Sequence, residues 1–269
     1  MCKVLQVSKQ GYYAWKKKKR SDRERFDSRL LIDIRTIYRA HKGRYGAPRI
    51  HDELKGLGFR VGIKRVQRLM RQDGLVAKAK RKFKATTNSK HSFPASPNLL
   101  QRDFTVEAPN KTWVSDATYI RTGEGWLYLC VYIDLYSRAV VGWQCSNRLK
   151  ASLFTESLKA AFKRRGITKN SKLIVHSDRG IQYACDDFRD LLDKYGCRQS
   201  MSRKGDCWDN SPAESFFGTL KQELIYQDRF ETRWEATEAI KEYIDIYYNY
   251  QRSHSTIGYV SPIKYELAA

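Results

Sequence analysis

Apolar residues along the first third of the chain recur at helical spacing. Phe26, Leu30, Ile34 and Ile37 share one stripe, and Ser21-Asp22-Arg23-Glu24 ahead of them has the Ser-x-x-Glu pattern of a capping box, so a helix is predicted to open there. A second helix is predicted over residues 48–55, a glycine-bearing turn over 56–62 and a third helix over 63–71. In that last segment Val66, Leu69 and Met70 form the apolar face, and Lys64, Arg65, Gln67, Arg68 and Arg71 point elsewhere. Two short helices joined by such a turn, the second rich in Arg and Lys, fit a helix-turn-helix whose second helix enters a DNA groove; an ordinary helical hairpin is the alternative.

Beyond Pro97 the helical period gives way to strand signals. Residues 112–120, 126–134 and 138–145 are β-rich runs separated by short turns at Gly123-Glu124-Gly125 and Tyr136-Ser137, which predicts antiparallel neighbours. An amphipathic helix follows (Leu153, Leu158, Ala161, Phe162), then a buried-type strand Leu173-Ile174-Val175, a helix bearing Phe188, Leu191, Leu192 and Tyr195, and a short strand over 198–201. This βββαβαβα order predicts a mixed sheet with helices packed on it. A last amphipathic helix over 234–250 leads into the basic, polar stretch 251–255.

Composition sharpens this picture. The chain has 269 residues with 41% hydrophobic content, enough for a sizeable core and more than one domain. No run of 18 or more apolar residues occurs, and no short apolar N-terminal segment ends in a small-residue cleavage site. A soluble cytoplasmic protein, associated with the nucleoid and without a membrane partner, is expected. The six cysteines form no C-x-x-C pair and no Cys/His spacing suited to zinc, which argues for reduced thiols. Charge is unevenly placed: of the net +22, residues 1–92 carry +20 and residues 93–269 only +2. A folded segment of that charge is read as a nucleic-acid binder rather than a solvated face. The organisation expected is therefore a helix-turn-helix DNA-binding region over 1–75, a basic linker over 76–100 in which Lys78, Lys80, Arg81 and Lys82 lie on phosphates, an α/β core over 101–225, and a C-terminal helix with a basic tail over 226–269.

Three acidic residues stand where a site could form. Asp116 interrupts an apolar or hydroxyl-bearing strand in phase with Val114 and Ile120, so it shares a face with core residues and needs a partner or a cation. Asp178 follows the strand through His176, at its C-terminal end, with Gly180 permitting close backbone approach. Glu214 sits at N3 of a helix start in which Ser211 is read as N-cap and Pro212 as N1. Taken singly, the strand Asp fits a salt bridge, the Asp before Gly a turn, and the Glu a cap. Together they fit carboxylates from different elements holding two Mg²⁺ ions, with Mn²⁺ able to substitute, and polarising a phosphodiester. Asp134 is read as a turn-capping residue, His176 as a hydrogen-bonded strand residue, and Trp208 as an exposed aromatic able to stack on an unpaired base.

Trp113-Val114-Ser115-Asp116-Ala117-Thr118-Tyr119-Ile120, His176-Ser177-Asp178-Arg179-Gly180-Ile181-Gln182-Tyr183 and Trp208-Asp209-Asn210-Ser211-Pro212-Ala213-Glu214-Ser215-Phe216-Phe217 closely resemble the catalytic motifs of the insertion-sequence-three family of transposases, relatives of retroviral integrases. Asp178 and Glu214 have 35 residues between them, the spacing of the family's D,D(35)E signature, and Lys221, seven residues after Glu214, matches as well. Gly11-Tyr12-Tyr13-Ala14-Trp15, Arg44-Tyr45-Gly46 and Tyr248-Asn249-Tyr250-Gln251-Arg252-Ser253-His254 extend the likeness through nearly the whole chain.

The resemblance implies a ribonuclease-H-like integrase core over 101–225, with a mixed five-stranded sheet flanked by helices. It implies cleavage at insertion-sequence ends to free a 3′-hydroxyl, then attack of that hydroxyl on another phosphodiester, with two metal ions held by Asp116, Asp178 and Glu214. Implied partners are double-stranded DNA at the element's ends and target, further copies of the chain on that DNA, and the upstream-frame product of the element. Lys221 and Arg252 join the expected DNA contacts. The chain resembles the downstream-frame product alone. A non-catalytic DNA-binding regulator of transposition would keep the basic region and lose a carboxylate, and a structure-selective nuclease of the same fold would need neither the helix-turn-helix nor Lys221.

Overall fold

The computed structural model describes residues 2, 4, 6–17, 19–78, 96–204 and 206–268, in two compact units, Met1–Ala79 and Lys80–Ala269. Lys80, Arg81 and Lys82 lie outside the described residues.

The first unit is helical: α1 (Lys9–Lys17), α2 (Asp22–Ala40), α3 (Ala47–Gly56) and α4 (Ile63–Gln72). The capping box forms as predicted, with Ser21 Oγ accepting from Glu24 N at 3.2 Å and Glu24 Oε2 accepting from Ser21 N at 2.7 Å. Leu30, Ile34 and Ile37 of α2 meet Ile50 and Leu54 of α3 and Val66, Leu69 and Met70 of α4 in one buried core. Phe26, expected on the same stripe, is instead partly exposed and carries the Arg65 guanidinium 4.7 Å above its ring. Asp27 fastens α4 to α2, accepting from Arg65 Nε and from Arg68 Nη2, each at 2.6 Å. Arg35 and Asp73 form a further ion pair between α2 and the end of α4. Two of the five polar residues expected on the outer face of α4 are thus spent inside the unit, and Lys64, Gln67 and Arg71 remain exposed.

The second unit holds a five-stranded sheet of order β3-β2-β1-β4-β5. Strands β1 (Thr112–Thr122), β2 (Gly125–Asp134) and β3 (Val140–Ser146) form the antiparallel meander that the short turns predicted. β4 (Ile174–Ser177) then pairs parallel to β1, and β5 (Arg198–Met201) parallel to β4. Between them run α5 (Ala151–Arg165), the single turn α6 (Ile181–Ala184) and α7 (Asp186–Lys194). These helices cover one face of the sheet, burying Trp113, Cys130, Tyr132 and Val175 against Leu158, Phe162, Phe188 and Leu192. Gly142 allows α5 its close approach, since a Cβ there would stand 2.5 Å from Ala161 Cβ.

On the other face lie α8 (Ser211–Leu220), which packs on β1, and α9 (Arg233–Lys241), which packs on β2. After α8 the winding widens to a π-type turn over Lys221–Ile225, and α9 continues in the same wider winding over Glu242–Gln251, where one regular helix was predicted. A short α10 (Pro262–Leu267) ends the chain. The linker expected to reach residue 100 stops sooner: Ser96 Oγ bonds Gln199 Oε1 at 2.7 Å and Leu99 N donates to Ser200 Oγ at 2.9 Å, so this stretch packs along β5.

Arg252, expected on DNA, is buried, and this corrects the reading of residues 251–255 as an exposed basic tail. Its Nη2 donates to Glu223 Oε1 at 2.9 Å, and Tyr243 Oη donates to Glu223 Oε2 at 2.8 Å, so the charge is used to join the π-type turn to the C-terminal segment. Nearby, Asn249 Nδ2 and Oδ1 bond the carbonyl and amide of Val140 at 3.0 and 2.9 Å, completing the free edge of β3.

Asp27→Ala should lower the melting temperature, at a cost of about 1–3 kcal/mol, because two guanidinium groups lose a charged acceptor at once. A thermal melt indistinguishable from that of the parent protein would show that α4 is held by its apolar face alone.

Candidate active site

The β1–β4 pairing is short. Thr112, Trp113 and Val114 stand opposite Ile174, Val175 and His176, and the strands then part. Two residues beyond the last pair, each strand has reached an aspartate, Asp116 on β1 and Asp178 just past β4. Parallel neighbours with the same count from a registered pair present their side chains on the same face, which is why the two carboxylates come together. Asp178 is shaped by its own turn: Gly180 N donates to Asp178 Oδ1 at 2.9 Å, and a Cβ on Gly180 would stand 3.0 Å from that oxygen.

Glu214 approaches from α8. The sequence placed it at N3 of a capping box, and the structure corrects this. Asn210 is the N-cap, Ser211 already has helical backbone angles, and no side chain caps the helix start. The cause is the 3₁₀ turn Cys207–Asn210, which feeds directly into α8 and shifts the start by one residue. Glu214 is thereby released from capping, exposed in the first turn of the helix. Partial desolvation raises its pKa above the usual carboxylate value.

Electrostatics tie the three together. Burial, then the charge of Asp178, and more weakly that of Glu214, push the Asp116 carboxyl well above its usual range, against a backbone hydrogen bond from Ala117 N at 2.7 Å and the attraction of Lys221. Lys221 is buried at the start of the π-type turn, its ammonium 5.6 Å from the centre of the Tyr119 ring, and desolvation lowers its pKa. Lys221 and Asp116 are close enough for their charges to attract.

The oxygen donors and the excess of negative charge fit a hard divalent cation. Among the described residues no three acidic, His or Cys side chains close around one point. A cation held among these carboxylates would offset the repulsion that Asp116 meets from Asp178 and Glu214.

The surroundings of the site are held by paired acids of a different kind. Asp209, one residue before the N-cap, is buried and accepts from Arg203 Nε and Nη2, Arg203 N, Arg102 Nε and Asn98 Nδ2, all within 3.0 Å. The Arg203 hydrogen bond foremost holds its carboxyl far below the usual range. Asp134, read as a turn cap, does cap: Asn110 N and Tyr136 N donate to it at 2.7 and 2.9 Å, and Arg165 pairs with it at 3.3 Å. His176 is buried between Ser200 Oγ and Ser202 Oγ at 2.8 and 3.2 Å, and burial pushes its pKa down to about 4, so it is a neutral strand residue. Trp208 is 66% exposed beside this loop. Sequence reading missed the clamp on Asp209, whose only signal was a run of Arg and Asp far apart along the chain.

Residues 25–83 match a family model described as an HTH-like domain, and residues 106–207 and 195–262 match two models described as an integrase core domain. Over 262 residues the chain is 45% identical to an uncharacterized 31 kDa protein of insertion element IS600 from Shigella sonnei, covering 97% of this chain and 96% of the relative. It is 42% identical over 268 residues to transposase InsF of insertion sequence IS3A from Escherichia coli (strain K12), covering 99% of this chain and 92% of that one. Among solved structures, the simian T-cell lymphotropic virus intasome in complex with a PP2A regulatory subunit B56 gamma aligns over 77% of this chain and 67% of that chain at 15% identity and a TM-score of 0.50, a likeness of fold. With an HTH-like region ahead of a ribonuclease-H-like integrase core, and transposase relatives alike along nearly its whole length, the chain belongs to the insertion-sequence-three family of transposases, which are polynucleotidyl transferases.

Proposed function

We propose that this transposase cleaves DNA at the ends of its own insertion sequence and joins the freed 3′-hydroxyl to a target, at a site made of Asp116, Asp178 and Glu214. The observation that carries this reading is Asp116: a carboxylate driven up by burial and by two further carboxylates, with no arginine paired to it among the described residues. Such an arrangement destabilises the metal-free protein and becomes favourable only when a cation occupies it. Mg²⁺ or Mn²⁺ bound there would polarise the scissile phosphodiester and make a water or 3′-hydroxyl more nucleophilic. The residues themselves divide the work. Asp116 comes from β1, Asp178 from the turn just past β4 and Glu214 from α8, and Lys221 brings a positive charge to the same edge.

In this reading residues 1–92 supply most of the affinity for the element's ends, through counterion release by their charge of +20. Lys64, Gln67 and Arg71 are the α4 side chains that face solvent and would meet DNA, whereas Arg65 and Arg68 act through Asp27. Lys78 and the segment Lys80, Arg81 and Lys82 would follow the phosphates, and several copies of the chain would assemble on the DNA, with or without the upstream-frame product.

Three outcomes are expected. Glu214→Gln should keep the fold and end binding and abolish both cleavage and strand transfer in Mg²⁺ or Mn²⁺; near-normal cleavage of labelled end DNA by the folded variant would refute the triad. Asp116→Asn should raise the melting temperature of the metal-free protein, by about 2–4 °C for each kcal/mol of relief. Because the folded-state pKa of Asp116 is raised, the destabilisation it causes grows as pH rises above the unfolded value of about 3.9, so the gain from Asn should be present at pH 7 and fade towards pH 4. Lys64→Ala and Arg71→Ala should each weaken binding to all DNA and reduce the salt slope by about 1 if the side chain meets phosphate, or cost roughly 1–3 kcal/mol of discrimination if it reads a base. Unchanged binding by both would remove α4 from the interface.

A further inference from the structure

Ser115, the residue before Asp116, is the point at which the three acidic elements are tied to one another. Its hydroxyl lies 2.8 Å from Tyr183 Oη, and Tyr183 stands in α6, five residues after Asp178. Its backbone carbonyl accepts from Asn210 Nδ2 at 3.0 Å, and Asn210 precedes Glu214 by four residues. Ser115, Tyr183 and Asn210 are 0%, 2% and 4% exposed. The orientation of the amide follows from chemistry, because a carbonyl only accepts and must be met by the NH₂ end. Asn210 Oδ1 is then left buried with no partner among the described residues.

We propose that Ser115, Tyr183 and Asn210 are positioning residues that hold Asp116, Asp178 and Glu214 at the spacing a divalent cation requires; this rests on the metal-binding reading of those three carboxylates. The need for such a device is physical. Like charges at the site repel, and although Asp116 is held in register with Val131 of β2, the β1–β4 pairing that would fix Asp178 against it has ended at Val114 and His176. Asp178 lies just past β4 and is followed by a helix of a single turn, and α8 is entered through a 3₁₀ turn, so the sheet ladder fixes neither Asp178 nor the start of α8 relative to Asp116. Two hydrogen bonds to one buried residue connect both segments to β1. Groups that orient the ligands of a metal control its affinity almost as strongly as the ligands do. The unpartnered Asn210 Oδ1 suits a donor from the hydration shell of a bound cation.

Tyr183 permits a clean test, because its ring is packed against Phe154 and Phe188, with centroids 4.7 and 5.3 Å away, and Tyr183→Phe keeps that packing. Full-length Ser115→Ala, Tyr183→Phe, the double variant and Asn210→Ala would be compared for metal-free melting temperature, for Mn²⁺ affinity by calorimetric titration, and for the metal concentration at half-maximal cleavage of end DNA. Tyr183→Phe is expected to weaken Mn²⁺ binding about 10-fold, within the 10–100-fold range for groups that orient ligands, and to shift the cleavage midpoint equally. Ser115→Ala should do the same, and the double variant no more than Ser115→Ala, since all three remove the Ser115–Tyr183 bond and Ser115→Ala in addition only the 3.8 Å contact with Cys130 Sγ. Asn210→Ala should weaken Mn²⁺ binding as well. Lower melting temperatures with unchanged Mn²⁺ affinity would overturn the proposal and leave these residues as core. Asp116→Asn separates the two readings. If it abolishes Mn²⁺ binding while Tyr183→Phe binds normally, only the positioning role fails; if it binds Mn²⁺ as well as the parent, the metal site fails and the positioning role with it.

Discussion

Where β1 and β4 run parallel, Val114 stands opposite His176, and two residues further along each strand has reached an aspartate. That register is the constraint from which the site follows. A slip of one residue would turn either aspartate to the opposite face, where α5 and α7 bury the apolar core. The crossover of α5 between β3 and β4 returns the chain to the far side of β1, which opens one edge of β1 beyond residue 114. Asp116, Asp178, Lys221 and the start of α8 gather at this open edge because the sheet has ceased to occupy it.

Buried acids elsewhere in the same unit are treated differently. Asp209 has Arg102 and Arg203, Glu223 has Arg252, and Asp134 has Arg165. All but the Arg203–Asp209 pair join segments distant in sequence, and each satisfies the carboxylate with fixed hydrogen bonds. Asp116 differs from them: its direct donor is the amide of Ala117, and the charges acting on it are those of Asp178 and Glu214, with Lys221 opposing them. The interaction of Asp209 with Arg203 and Arg102 also explains how a loop can be kept in place one residue before the N-cap of α8 without any side-chain cap.

The basic unit divides its charge in a similar manner. Arg65 and Arg68 brace α4 against α2 through Asp27, and Arg35 reaches Asp73, so part of the excess is internal. Lys64, Gln67 and Arg71 are left outward on the remaining face of α4. A helix whose inner charges are locked presents its outer side chains from a rigid base.

Periodicity alone determined most of the elements. The capping box at Ser21, the meander of three strands and the βββαβαβα order depend on neighbours within a few residues, and local physics suffices for these. The three acidic residues were legible because each broke a local pattern: a charge in phase with core residues, an aspartate at a strand end, a glutamate in a first turn. Tertiary structure decided what sequence spacing could not. Glu214 lost its capping role when a 3₁₀ turn extended the helix start, Arg252 went inward to Glu223 rather than outward, and Arg65 and Arg68 turned to Asp27. A cationic side chain long enough to reach either solvent or a partner is placed by whichever acid the fold brings near it. That proximity arises from contacts across 38 residues for Arg65 and 29 for Arg252, which no local pattern records.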